Sequence, residues 1–427
     1  MNAPDMQRVR MSLPYYRENG WEPIILAIDP ASHGGTREDA LLSTIPPDIV
    51  VHHCRAFSPK ASRRFGIGNL GLRSWLQLFF AGKRLINSEK IDLVFISNTQ
   101  FVTFTLGRLW RRLTRVPYVI DLQDPWRTDY YQDTRKKDRP GGWKYELARL
   151  QAGVLESWSF KRMSGLMSVS QAYLDDLTRR YPWFKNKPTE VINFGASETD
   201  LARAVTLRPA NPKPNGSSIC LVYTGVAGSV MQPALTVLFD GLNVFRSANP
   251  ATNQLRFDFL GTSYASAETP CPSVKPVAQH FGTDDLISEN PIRLGHLEAL
   301  HEQTAADALI LLGTDDPAYS PSKLYPYYLT KRPILAIVAA GSALEKSLRQ
   351  LACAVIVTFD ASGPNEQTRT QLAAFFRTAL AGFPPGSQPE RNDALFRREF
   401  LADSLTRRQC ALFNRAVADP SAIVNRA

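Results

Sequence analysis

The first half of this chain is short of acid. Residues 1–190 hold 29 of the 50 Lys and Arg but 19 of the 40 Asp and Glu, a balance of +10, while the remainder carries 21 of each and is neutral. The excess positive charge implies an anionic partner for this half: a membrane leaflet, a lipid-linked diphosphate or a nucleic acid. No zinc-finger, RNA-recognition or helix-turn-helix signature accompanies it, so nucleic acid is not expected. Cysteine is sparse too. Cys54, Cys220, Cys271, Cys353 and Cys410 are odd in number and lack C-x-x-C spacing, which argues against disulfides and a zinc site. No apolar run approaches the ~18–20 residues of a spanning helix, and no signal peptide opens the sequence. A cytoplasmic protein is expected, with peripheral attachment to the inner face of the plasma membrane as an extension of that reading.

At 427 residues the chain exceeds one ordinary core and predicts two domains of roughly 200 residues each. Short β-rich runs alternate with amphipathic stretches, the pattern of βαβ units and a parallel sheet. Strands are predicted at 23–28, 48–53, 93–96, 118–121, 166–169 and 190–192, then at 218–223, 255–260, 308–312, 333–338 and 354–358. Between them lie helical patterns such as Leu72, Trp75, Leu76, Phe79, Phe80 and Ile86. A Pro/Asn/Gly-rich stretch at 208–218 reads as a linker. The expected division is 1–198, 199–388 and a helical segment at 389–427.

Three clusters carry candidate chemistry. Ser322 and Lys323 open a short helix after a buried strand, where a lysine and free backbone N–H groups suit a ligand's phosphates. The alternative is a capping serine and a solvated lysine. Thr224, Gly225 and Gly228 form a small-residue loop after another strand, suited to close approach of phosphate or to a plain tight turn. Asp124 and Trp126 end a first-half strand, where a carboxylate can orient a hydroxyl; a capping aspartate and a packing tryptophan are the plainer alternative. The run Gly66-Ile67-Gly68-Asn69-Leu70-Gly71 fits G-x-G-x-x-G, but a basic stretch precedes it instead of a strand, so dinucleotide binding is not expected. Its surroundings, with Phe57, Lys60, Arg63, Arg64, Phe65, Arg73, Trp75, Phe79 and Phe80, mix cations and aromatics. They suit a membrane-surface or acceptor loop, or a core helix behind a solvated basic loop.

The segment from Pro321 to Pro333 resembles the "S-K-x-x-E-Y-x-x-x-x-x-P" stretch of GT-B glycosyltransferases, particularly those of family 4. Asp121-Leu122-Gln123-Asp124-Pro125-Trp126 is similar to the family's "D-x-R-D-P-W", Leu221-Val222-Tyr223-Thr224-Gly225 to its "Y-x-G", and Phe259-Leu260-Gly261 to its "F-x-G". Asn193-Phe194-Gly195 falls where the family crosses between domains. The resemblance implies an α/β chain of two Rossmann-like domains facing a cleft, with a C-terminal helix. It implies a nucleotide sugar as donor substrate, transfer with retention, and a polysaccharide, lipopolysaccharide or anionic lipid-linked acceptor. Lys323, Ser322, Thr224, Gly225 and Gly228 would then hold the donor diphosphate, Asp124 would be catalytic, and Trp126 and Arg8 would lie on the acceptor side. Asp175-Asp176, Asp284-Asp285 and Asp315-Asp316 lack the D-x-D spacing of the other main transferase fold, so neither metal nor other cofactor is expected.

Several departures keep alternatives open. Pro326 stands where the family has a glutamate for the ribose, and Lys331 where it has a glycine. Residues 226–233 lack the usual basic pair, and the chain opens in the loop and helix that normally follow the first strand, so that strand is expected to be missing, either because the start is assigned too late or because the first domain's sheet lacks it. A GT-B binding or scaffold protein without turnover, or a nucleotide-sugar epimerase, are the competing readings.

Overall fold

The computed structural model describes residues 4–33, 38–64, 68–127, 143–207, 218–263, 271–316, 319 and 322–418. The chain divides into two compact units, one of residues 1–194 and 402–427, the other of residues 195–401.

The first unit contains β1 (Ile24–Ile28), β2 (Val50–Cys54), β3 (Val94–Ser97), β4 (Tyr118–Leu122), β5 (Gly165–Ser168) and β6 (Thr189–Val191). β1 and β2 pair in parallel by themselves, and β3-β4-β5-β6 form a parallel sheet in sequence order. The first described element is the helix Pro4–Ser12. β4 is buried along its whole length, as its Tyr-Val-Ile-Asp-Leu composition demands of an inner strand. The terminal stretch forms two helices, Asp393–Phe400 and Ala402–Ala418, broken at Leu401. Phe413 and Leu412 of the second bury against Val119, Met167 and Ile192 in the first unit's core.

In the second unit β7 (Ile219–Thr224), β8 (Leu255–Leu260), β9 (Ile287–Asn290), β10 (Ala308–Leu312), β11 (Ile334–Ala339) and β12 (Val355–Phe359) make one parallel sheet, ordered β12-β11-β10-β7-β8-β9. Side chains alternate between its faces. Ala308, Ile310 and Leu312 join one core cluster, whereas Leu309 and Leu311 join the other. Burial of each such Leu or Ile contributes about 1.5–3 kcal/mol. The helices covering the sheet start on side-chain caps: Ser342 accepts from Glu345 N–H, and Asn365 and Thr368 form a reciprocal capping box.

Among the described residues, eleven of the twelve strands lie where the sequence predicts them. The exception is β9, an edge strand whose Ser288, Glu289 and Asn290 give no apolar alternation. Glu289 turns its carboxylate to the N–H groups of Ser273 and Lys275 and to the Thr262 hydroxyl, so a polar residue is what that position needs.

Candidate functional site

The strand order of the second unit's sheet reverses between β7 and β10, which pair through Ala308–Leu221 and Leu309–Val222. Helices that follow such adjacent strands leave in opposite directions and open a crevice beyond the strands' carboxyl ends. Thr224 and Gly225 end β7 there, and the segment after β10 leads to Ser322 and Lys323.

Gly225 has φ +111°, and its N–H donates to Leu260 O at 2.8 Å. A side chain would be strained there and would also collide, because an added Cβ would lie 2.9 Å from Lys323 Nζ. The missing side chain thus makes room for the lysine. Lys323 Nζ donates to the Tyr223 hydroxyl at 2.7 Å and lies 4.0 Å from the centre of that ring. The Tyr223 hydroxyl in turn donates to Val226 O at 2.6 Å. Among the described residues no carboxylate pairs with Lys323, and desolvation lowers its pKa to about 7. Thr224 is fixed by the fold: its N–H donates to the Tyr327 hydroxyl at 2.9 Å, and Gln303 Nε2 donates to its hydroxyl at 2.9 Å.

Ser322 is exposed, and Lys323 instead occupies the cap position of the Leu324–Leu329 helix without a side-chain capping bond. That helix has six residues, too short for its dipole to carry an anion-binding argument. Residues 320 and 321, at the start of this motif, lie outside the described residues. Gly228 has φ −73°, and a Cβ would meet nothing within 4 Å, so the fold itself does not require glycine there. Lys331 has φ +58°, which explains the glycine of the motif it resembles.

In the first unit Asp124 is exposed just beyond β4, and partial desolvation raises its pKa above the ordinary carboxylate value. Its charge, with burial, raises the pKa of Tyr173, so the two groups are neighbours. Trp126 packs: its ring stacks on Phe101 at 5.8 Å and meets Phe104 edge-on at 5.8 Å. Arg8 is buried, donating to Ile192 O at 2.8 Å and Asn193 O at 3.0 Å. It stands 3.5 Å from the Asp121 carboxylate and 4.9 Å from the centre of the Phe194 ring. Asp121 also accepts from Ser97 Oγ at 2.8 Å and Gln123 Nε2 at 2.7 Å. Sequence reasoning missed this network. Its one available signal was a charged residue inside an otherwise apolar strand. The G-x-G-x-x-G run enters the Leu70–Ser88 helix through Asn69, whose side chain accepts from Leu72 N–H; residues 65–67 lie outside the described residues.

Residues 7–195 match the family model described as "Glycosyl transferase 4-like domain". That match spans most of the first unit and less than half of the chain. Among solved structures, a glycosyltransferase from Rickettsia africae superposes with a TM-score of 0.58 at 13% identity, covering 97% of this chain and 95% of that one. HepE from Anabaena, solved with UDP and glucose, gives 0.52 at 14% identity, with 96% and 95% covered. The UDP-forming α,α-trehalose-phosphate synthase from Burkholderia vietnamiensis gives 0.51 at 11% identity, with 92% and 99% covered. No curated protein matches the chain. The fold is therefore GT-B, two Rossmann-like units, and the domain match together with that fold supports a glycosyltransferase.

Proposed function

We propose that the protein is a retaining glycosyltransferase that moves a sugar from a nucleotide-sugar donor to a polysaccharide, lipopolysaccharide or lipid-linked acceptor at the inner face of the plasma membrane. The observation that carries the donor side is Lys323, a desolvated ammonium with a tyrosine for company and a side-chain-free Gly225 beside it. A departing nucleotide diphosphate gains negative charge, and a fixed cation in a dry site stabilises that charge as it develops. Ser322, Thr224 and Gly228 belong to the same donor-side reading. Because Thr224 is held by Tyr327 and Gln303, it supports the loop's shape more than it offers a free hydroxyl.

On the acceptor side Asp124 is the candidate for orienting the acceptor hydroxyl. It is exposed at the carboxyl end of β4, where its carboxylate can accept from an acceptor hydroxyl while the leaving phosphate takes much of the proton. Trp126 and Arg8 act here through packing: one anchors the segment after β4, the other ties the Pro4–Ser12 helix to residues 192–194. The HepE neighbour was solved with UDP, so uridine diphosphate and its sugars are the first ligands to try.

Calorimetry of the full chain against nucleoside diphosphates and nucleotide sugars, without divalent metal, tests this reading. One of them binds, and Lys323→Ala weakens it by about 1.5–3 kcal/mol, the range for a charge-assisted hydrogen bond. Binding of none overturns the proposal. Pro326 and the uncharged residues 226–233 favour one competitor, a GT-B protein that binds a nucleotide without turnover. Detection of sugar transfer or slow donor hydrolysis separates the two.

A further inference from the structure

The helix Leu70–Ser88 is apolar on two sides. Its inner side, Gly71, Ser74, Leu78, Gly82 and Ile86, is buried, and a Cβ on Gly82 would lie 2.3 Å from the Trp110 ring. Small residues thus let it pack closely against the Phe104–Thr114 helix. Its outer side is the unexpected one. Leu72, Leu76 and Phe80 recur at four-residue spacing and are 45%, 48% and 64% exposed. Phe57, 51% exposed, is tied to the same helix: its N–H donates to Arg73 O at 3.0 Å, and Arg73 Nη1 donates back to Phe57 O at 2.6 Å.

Exposed cations flank this stripe, Lys83 and Arg84 toward the helix's end, Lys60 and Arg64 shortly after Phe57. Residues 49–88 contain no Asp or Glu and seven cations: Arg55, Lys60, Arg63, Arg64, Arg73, Lys83 and Arg84. Among the described residues no helix is long and apolar enough to cross a membrane.

We propose that this face docks on an anionic lipid bilayer, with Leu72, Leu76 and Phe80 entering the headgroup boundary and Lys60, Arg64, Lys83 and Arg84 against lipid phosphates. An aliphatic and aromatic stripe between cations is what an interfacial helix needs: apolar surface to leave water and positive charge to meet the anionic leaflet. A second copy of this chain fits poorly, because two like faces would oppose the same concentrated positive charge. The inference deepens the reading of a lipid-linked acceptor, but vesicle binding is measured without donor, acceptor or turnover.

The test is flotation of the full chain with vesicles of phosphatidylcholine containing about 30% phosphatidylglycerol, beside phosphatidylcholine alone. Binding to the anionic vesicles, weakened as salt rises, is expected. Leu72→Ser/Leu76→Ser/Phe80→Ser should lower the partition coefficient by roughly 100-fold, and replacing the four flanking cations by Gln should do so by a similar factor while abolishing the preference for anionic lipid. Circular dichroism checks that each variant folds. No binding to anionic vesicles, or binding that survives the triple substitution, overturns the proposal. So does a wild-type dimer that the triple substitution dissociates in the absence of vesicle binding. A protein that binds vesicles but no nucleotide keeps this inference and loses the donor reading.

Discussion

Each unit contains a cation withdrawn from water, and the two are treated in opposite ways. Arg8 in the first unit has the Asp121 carboxylate, two carbonyl oxygens and the Phe194 ring around it. Lys323 in the second has a tyrosine hydroxyl and ring. Burial lowers the pKa of both, but only for Arg8 does a carboxylate oppose the shift. The fold pairs the first charge with a carboxylate and, among the described residues, gives the second none. A desolvated cation that has its counter-ion is structural; one without it is costly to the empty protein, which is the reason for proposing that Lys323 meets an anion.

The largest expected effect breaks the first member of that pair. Asp121→Ala leaves Arg8 buried without its carboxylate and should lower unfolding free energy by about 3–5 kcal/mol in urea denaturation. A loss under about 1 kcal/mol would show that the network does not hold the first unit together. Asp124→Asn, three residues on and exposed, should by contrast leave stability unchanged. Its expected effect is on turnover, a fall of about 100-fold or more with donor affinity kept within about threefold, because orienting a hydroxyl acts mainly in the transition state. Unchanged activity would remove Asp124 from the mechanism.

The Lys323 member is sharpened by pH. A bound diphosphate needs the ammonium, so nucleotide affinity should fall as pH rises above about 7, approaching tenfold per unit, and Lys323→Met should flatten the profile. The apo protein should respond in the opposite sense. Folding lowers this pKa from its ordinary 10.5 to about 7, so within that window the unfolded chain holds a proton that the folded chain lacks. Stability contributed by this group therefore rises with pH from about 7 to 10.5, and Lys323→Met should raise the apo melting temperature at pH 7. An affinity independent of pH would show that the lysine does not meet the nucleotide. The smallest effect belongs to Lys331, whose φ of +58° strains a side-chain-bearing residue. Lys331→Gly should stabilise by about 0.5–1 kcal/mol, seen as a higher urea midpoint; a lower one would mean that the lysine side chain contributes more than the strain removes.

Local pattern made most of the scaffold legible. Runs such as Ala308–Leu312 and Ile334–Ala339 are apolar throughout because both faces of an inner parallel strand are covered, and that signal needs no knowledge of neighbours. Ile287–Asn290 escaped because an edge strand answers to a single neighbour, and Glu289 serves the start of the preceding helix, Lys275–His280, instead of a core. The Leu72, Leu76 and Phe80 stripe reads as core by its spacing yet faces water, since glycine and serine on the helix's other side take the packing.

The sequence by itself therefore determined the order of strands and helices, the concentration of positive charge in the first half, and the identity of the lysine and glycine segments, all of which depend on residues close along the chain. Tertiary structure decided which charges are spent. Arg8 meets Asp121 and residues 192–193 across more than a hundred positions, whereas Lys323 meets Gly225 and Tyr223 only because β7 and β10 lie side by side. Burial and counter-ions depend on which strands become neighbours, and that follows from closing the whole sheet over its core, not from any local run of residues.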